Sequence, residues 1–160
     1  MNEKYYISEN LYLTGMDIEK SWEFIVSYIK NIGDIISVVN WLPMKEFEID
    51  KSIFNTNFNN ETPQRIYITK SPFIEKTNDM YLCKDYKLSD NIYNIISNDW
   101  YNELKEENIC PNFVIKYKEI SYFMLTYNAI IARLSPVDFN VFNNLGFELK
   151  EWNIELNKTL

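Results

Sequence analysis

The spacing of apolar residues predicts a first helix near the start of the chain. Between residues 18 and 32, apolar side chains recur every three or four positions, as on a helix with one buried face. The capping-box pattern at 14–17 precedes this stretch, and Gly33 follows it at the C′ position, where glycine is favoured. The predicted buried face consists of Ile18, Trp22, Ile25, Val26, Ile29 and Ile32.

A second helix is predicted from about Asp90 to Asn108. Ser89 is a suitable N-cap residue, and Pro111 stands just beyond the predicted end. The capping pattern at 135–138, with proline at the first helical position, predicts a short third helix. The apolar stripe of the second helix consists of Ile92, Ile95, Ile96, Trp100 and Leu104.

Runs of β-branched and aromatic residues between the helices predict strands. The run at 129–134 is compatible with a strand or a helix. The other predicted strands are 4–13, 35–39, 65–69, 80–87, 113–117, 122–127 and 147–154.

This order of elements predicts a single α+β domain spanning residues 1–160. We expect a mainly antiparallel sheet of about five to seven strands with two or three helices packed on it, because consecutive strands usually lie side by side. The β-α-β order at the start allows one parallel pair. The aromatic residues assigned to the core are Trp22, Trp41, Phe123, Phe139, Phe142 and Trp152.

The charge balance indicates the kind of partner. The chain carries 16 Lys and Arg residues against 23 Asp and Glu residues, a formal net charge of −7, and its only arginines are Arg65 and Arg133. Binding to phosphate backbones needs clustered basic residues, so the composition argues against nucleic acid and anionic membranes as direct partners. It favours a basic protein as the partner.

The chain contains no histidine, which removes imidazole-based catalysis and most zinc sites. Cys83 and Cys110 form no CxxC pair, so neither a metal nor another cofactor is expected. Two isolated cysteines, no secretory signal and no apolar run of ~18 residues predict a cytoplasmic protein. Nothing in the sequence indicates an oligomeric state.

The distal half of the second predicted helix is the strongest candidate for an interface. Asp99, Glu103 and Glu107 follow i, i+4, i+8 spacing, so their like charges repel and crowd the negative end of the helix dipole. A basic partner would turn this repulsion into attraction. The alternative is a solvated helix face without a partner. The predicted partner-binding residues are Asp99, Trp100, Tyr101, Glu103, Glu106 and Glu107.

A second candidate interface is the Asn- and Phe-rich segment at 45–62. Exposed Phe54 and Phe58 would dock on a partner, whereas the alternative is a loop packed down by its own aromatics. Catalysis would have to use carboxylate pairs such as Asp85 with Asp90, or those at 46 and 48, whose separations the sequence leaves open.

These features favour a non-enzymatic binding protein. Our first hypothesis is a bacterial immunity protein that neutralises a basic, nuclease-type toxin by covering its active cleft with an acidic surface. The alternatives are a phage-encoded inhibitor of a host defence protein, a carboxylate-dependent enzyme with an unlocated site, and a regulatory domain with an aromatic small-molecule pocket.

Overall fold

Eight strands form one sheet in the computed structural model, which describes residues 3–8, 18–42, 58, 61–107, 112–126 and 129–152. The strands are β1 (Lys4–Ser8), β2 (Ile35–Leu42), β3 (Arg65–Thr69), β4 (Met80–Lys87), β5 (Asn112–Tyr117), β6 (Ile120–Leu125), β7 (Ile130–Leu134) and β8 (Lys150–Glu151). The helices are α1 (Ile18–Ile32), α2 (Asp90–Ile95), α3 (Tyr101–Glu107) and α4 (Pro136–Asn144). A π-helical turn (Ile96–Trp100) joins α2 and α3 into one composite helix.

The predicted α+β class and the mainly antiparallel sheet are confirmed. The strand order is β3-β4-β2-β5-β6-β7-β1-β8, and every neighbouring pair is antiparallel. The expectation that the first β-α-β unit could form a parallel pair is wrong. β1 and β2 run in the same direction, but three other strands lie between them.

The helices pack on one side of the sheet, hereafter the helix side. Their buried residues and alternate strand residues form a single core, and each fully buried apolar side chain contributes about 1.5–3 kcal/mol. This packing fixes the composite helix against α1, through Trp22, and against β5, through Phe113. The largest fully buried side chains on this side are Trp100, Phe113, Phe123, Phe142, Phe147, Ile25, Ile29, Ile36, Ile92, Ile96 and Ile115.

The opposite side, hereafter the far side, holds a smaller buried cluster of Val39, Cys83, Val114, Met124 and Ile131. Partly buried side chains, including Phe73, Ile74 and Trp152, pack against it.

The assignment of Trp41 to the core is wrong, since this residue is 53% exposed. Trp41 lies next to the end of β2, and its described strand neighbour is Tyr81 of β4.

Two glycines are required for different reasons. Gly33 follows α1 as predicted, but its φ is not positive. A Cβ at this position would overlap Ile115 Cγ2, so close packing requires glycine. Gly146 follows α4 with a φ of 99°. Its N–H donates to the carbonyl of Asn143, and the N–H of Phe147 donates to the carbonyl of Phe142, as in a Schellman motif.

Some predicted features lie outside the described residues: the capping pattern at 14–17, Pro111, and the outer ends of the first and last predicted strands. Among the described helices, none has the length and apolar character needed to cross a membrane.

Candidate protein-binding surface and buried polar network

The composite helix begins where the sequence predicts. Ser89 Oγ accepts the Ile92 N–H at 3.2 Å, which satisfies one of the unpaired donors of the first turn. The Ser89 hydroxyl donates to Glu61 Oε1 at 2.9 Å, and the Asn91 side-chain amide donates to the same oxygen at 3.3 Å. Glu61 therefore fixes the start of the helix.

The π-helical turn keeps the apolar stripe in phase. Ile92, Ile96, Trp100 and Leu104 are all buried, although residues spaced by four drift about 40° per step around an α-helix. A π turn takes up one additional residue and so offsets the drift. Trp22 of α1 donates its indole N–H to the Ile96 carbonyl at 2.9 Å, which anchors the turn to the neighbouring helix.

Four of the predicted partner-binding residues have at least part of their side chain on the surface. Asp99 and Glu106 are exposed, and Tyr101 and Glu103 are partly exposed. Lys105 Nζ lies 5.9 Å from the centre of the Tyr101 ring. Tyr101, Glu103 and Glu106 lie in α3, the last part of the composite helix, and Glu107 is its final residue.

Trp100 is corrected from an interface residue to a core residue. Its side chain is 0% exposed and packs against the rings of Phe58 and Phe113, at centroid distances of 5.4 and 5.3 Å. The apolar stripe runs beside Asp99 and Glu103, and Trp100 belongs to the stripe. Among the described residues, none accepts a hydrogen bond from its indole N–H.

The composite helix holds a large part of the negative charge. Residues 90–107 contain five acidic residues and one basic residue, a net charge of −4 out of −7 for the chain. Exposed asparagines at 91, 94, 98 and 102 share its outer surface. The surface therefore combines hydrogen-bond acceptors, amide groups and a concentrated negative potential.

The segment at 45–62 is described only at Phe58 and from residue 61 onward. Phe58 is 2% exposed, stacks on Trp100 and meets Tyr86 edge to face at 5.0 Å. Its predicted role in docking is therefore wrong, because the ring is part of the core. Phe54 lies outside the described residues.

A polar network that the sequence did not predict lies on the far side, centred on the Tyr67 hydroxyl. Lys116 Nζ donates to this hydroxyl at 3.0 Å, and the hydroxyl donates to Asp85 Oδ1 at 3.3 Å. Ser37 Oγ lies 3.4 Å from the hydroxyl, and Lys116 Nζ lies 4.0 Å from Asp85 Oδ2. The Arg65 guanidinium stacks over the Tyr67 ring at 4.2 Å.

Strand register brings these residues together. Arg65 lies opposite Asp85, which in turn lies opposite Ser37, and Lys116 comes from β5, on the other side of β2. Residues 37 and 116 are almost eighty positions apart, so no local pattern could have indicated the network. The network links four adjacent strands.

The protonation states in this network suit a structural role. Burial lowers the pKa of Lys116, but its hydrogen bond to Tyr67 and its attraction to Asp85 outweigh that effect, so the pKa is raised and the amine stays charged. Burial raises the pKa of the Cys83 thiol, and Asp85 adds to this, which keeps the sulfur protonated and weakly nucleophilic at neutral pH.

The carboxylate pair proposed for catalysis is not brought together. Asp85 faces the far side, whereas Asp90 is exposed in the first turn of α2 on the helix side. Residues 46 and 48 lie outside the description. In the described part of the chain, no three His, Cys, Asp or Glu side chains form a group suited to a metal ion.

The fold and these surfaces define an α+β domain with an eight-stranded antiparallel sheet that carries helices on one side. Comparison with protein-family models, curated proteins and solved structures found no match.

Proposed function

We propose that this protein is a non-enzymatic inhibitor that binds a basic protein through the outer surface of its composite helix. The observation that carries the proposal is the net charge of −4 on 18 of the 160 residues, on a helix whose inner face is anchored in the core. A rigid helix presents its carboxylates with little ordering cost on binding. Within this class, the role we favour is that of a cytoplasmic bacterial immunity protein against a nuclease-type toxin.

The physical basis is competition with a nucleic acid. A nuclease cleft is lined with Lys and Arg side chains that attract phosphates. The carboxylates of Asp99, Glu103 and Glu106 carry the same negative sign as phosphates and lie on a helix that is packed against the core. The exposed asparagines add neutral hydrogen bonds around the carboxylates. Binding would occlude the cleft, and its rate would fall as salt rises.

The test is affinity capture from the native host with three baits. The wild-type chain is compared with D99K/E106K, which reverses two exposed carboxylates on the composite helix. The matched control, D34K/E148K, reverses two exposed carboxylates elsewhere and makes the same change in net charge. The captured protein is then assayed for nuclease activity with and without an equimolar amount of the wild-type chain.

We expect the wild-type and D34K/E148K baits to capture a basic protein that D99K/E106K does not capture. We also expect the wild-type chain to block its nuclease activity. Capture of the same proteins by all three baits would contradict the proposed surface. A captured protein without nuclease activity would contradict the immunity role while leaving the surface standing.

A further inference from the structure

The outer edge of β3 has no partner among the described strands. Open strand edges pair readily with other chains, and proteins usually protect them with short strands, charges or proline. The opposite edge, β8, follows this rule, since it consists only of exposed Lys150 and Glu151. β3 is five residues long, and Pro63 and Pro72 lie outside it.

Two isoleucines make this edge apolar on the helix side. Ile66 is 57% exposed and Ile68 is 50% exposed, and they lie opposite Lys84 and Leu82 of β4. Because side chains on a strand alternate between its two faces, residues 66 and 68 lie on the same face. An added strand with apolar residues at alternate positions would cover both.

The far-side face of β3 carries the Arg65 side chain, whose position is fixed by the Tyr67 ring. The Arg65 guanidinium is stacked on Tyr67 and forms no ion pair within the described part of the chain, whereas Arg133 pairs with Glu3 at 3.1 Å. Residues 64–70 also contain Lys70 and no acidic residue. A fixed, exposed guanidinium suits a carboxylate, which it can bind through two parallel hydrogen bonds.

A second copy of the chain is a poorer occupant of this edge. Pairing β3 with itself would bring Arg65 and Lys70 of both copies to one interface, between molecules that each carry a charge of −7. The apolar part of each edge is two half-exposed isoleucines, far below the roughly 800 Å² per partner of a stable interface.

We propose that the outer edge of β3 binds an extended segment of another protein in which acidic residues alternate with β-branched apolar residues. The segment adds a ninth strand through main-chain hydrogen bonds. Its apolar side chains cover Ile66 and Ile68, and a carboxylate pairs with Arg65. This inference is independent of the proposed function, because it uses another surface and a partner of opposite charge.

The experiment selects a displayed library of random heptapeptides on the wild-type protein and then compares the binding of the enriched peptides to wild type and to I66K/I68K. Both isoleucines are exposed, so this variant should fold, and I66T/I68T serves as a second variant that leaves the charge unchanged. The enriched peptides are synthesised and titrated against wild type, both variants, R65E and the control N94K. Hydrogen exchange of residues 65–69 and sedimentation of the free protein complete the set.

We expect enriched peptides that alternate Val or Ile with Asp or Glu and slow the exchange of residues 65–69. Their affinity should fall at least about tenfold in both isoleucine variants and in R65E, and stay unchanged in N94K. The proposal is overturned if no alternating acidic peptide is enriched, or if the enriched peptides bind the isoleucine variants equally well. It is also overturned by a wild-type dimer that I66K/I68K dissociates, since a second copy would then occupy the edge.

Discussion

Replacement of Lys116 by methionine tests the network around Tyr67. Methionine keeps most of the length of the buried stem but removes the ammonium, which donates to Tyr67 at 3.0 Å and lies 4.0 Å from Asp85. The Asp85 side chain, which is only 10% exposed, would then keep the Tyr67 hydroxyl as its partner in the network but lose the nearby positive charge. We therefore expect a substantial loss of stability.

The size of the loss follows from the burial. Removing one partner of a fully buried ion pair costs about 3–5 kcal/mol. Lys116 and Asp85 retain 17% and 10% side-chain exposure, so water screens part of the interaction and we expect about 2–3 kcal/mol. With a urea m-value of about 2 kcal/mol/M, the midpoint of unfolding should fall by about 1–1.5 M.

Three further variants complete the assay, which is equilibrium urea unfolding at neutral pH. K87M, which removes an exposed lysine at the end of β4, should stay within about 0.5 kcal/mol of wild type. In K116M/D85N the uncompensated charge is gone, so the double variant should lose at least about 1 kcal/mol less than the sum of the two single losses. The reasoning is refuted if K116M resembles K87M, or if the losses of K116M and D85N simply add.

Three other predictions concern stability. Lys118 and Glu119 form the turn between β5 and β6 with φ of 48° and 69°, so K118N/E119G, the residue pair preferred in such turns, should raise the unfolding free energy by about 1 kcal/mol; a decrease in thermal unfolding would contradict it. G33A should lower the stability by about 1–3 kcal/mol, because its Cβ would overlap Ile115, and a crystal structure of the variant with β5 unshifted would argue against this cause. Stability should also fall as the pH rises above about 9, because six described groups have a raised pKa in the folded state, which therefore binds more protons there than the unfolded state. Equal urea midpoints at pH 7 and about pH 10 would contradict this. The six groups are Tyr5, Tyr28, Tyr81, Cys83, Tyr93 and Lys116.

Local features were predictable because their causes lie within a few residues. The Ser89 cap, the helical stripe from Ile92 to Leu104 and the alternation at 65–69 each depend on neighbours in sequence, and the structure places a helix or a strand at each. The predicted apolar stripe contains Ile92, Ile96, Trp100 and Leu104, and the structure buries all four. Trp100 is nevertheless also predicted to bind a partner, and only its burial in the structure decides between the two roles.

Features that depend on strand order were not predictable. Tyr67 and Lys116 meet because β3, β4, β2 and β5 are neighbours, and that order is decided by packing between distant parts of the chain. The alternation of Ile66 and Ile68 predicts a strand, but only the assembled sheet places that strand at an edge. Trp41 is a large aromatic residue of the kind that usually lies in a core, yet it stands next to the end of β2 and is 53% exposed.

The most direct test of the proposed interface is the association rate of the captured basic partner with wild type, D99K/E106K and D34K/E148K at low and high salt. We predict that D99K/E106K binds at least about tenfold more slowly at low salt and loses most of its salt dependence, while D34K/E148K stays within about threefold of wild type. Equal rates for the two variants would contradict the account, because net charge alone, and not the composite helix, would then govern binding.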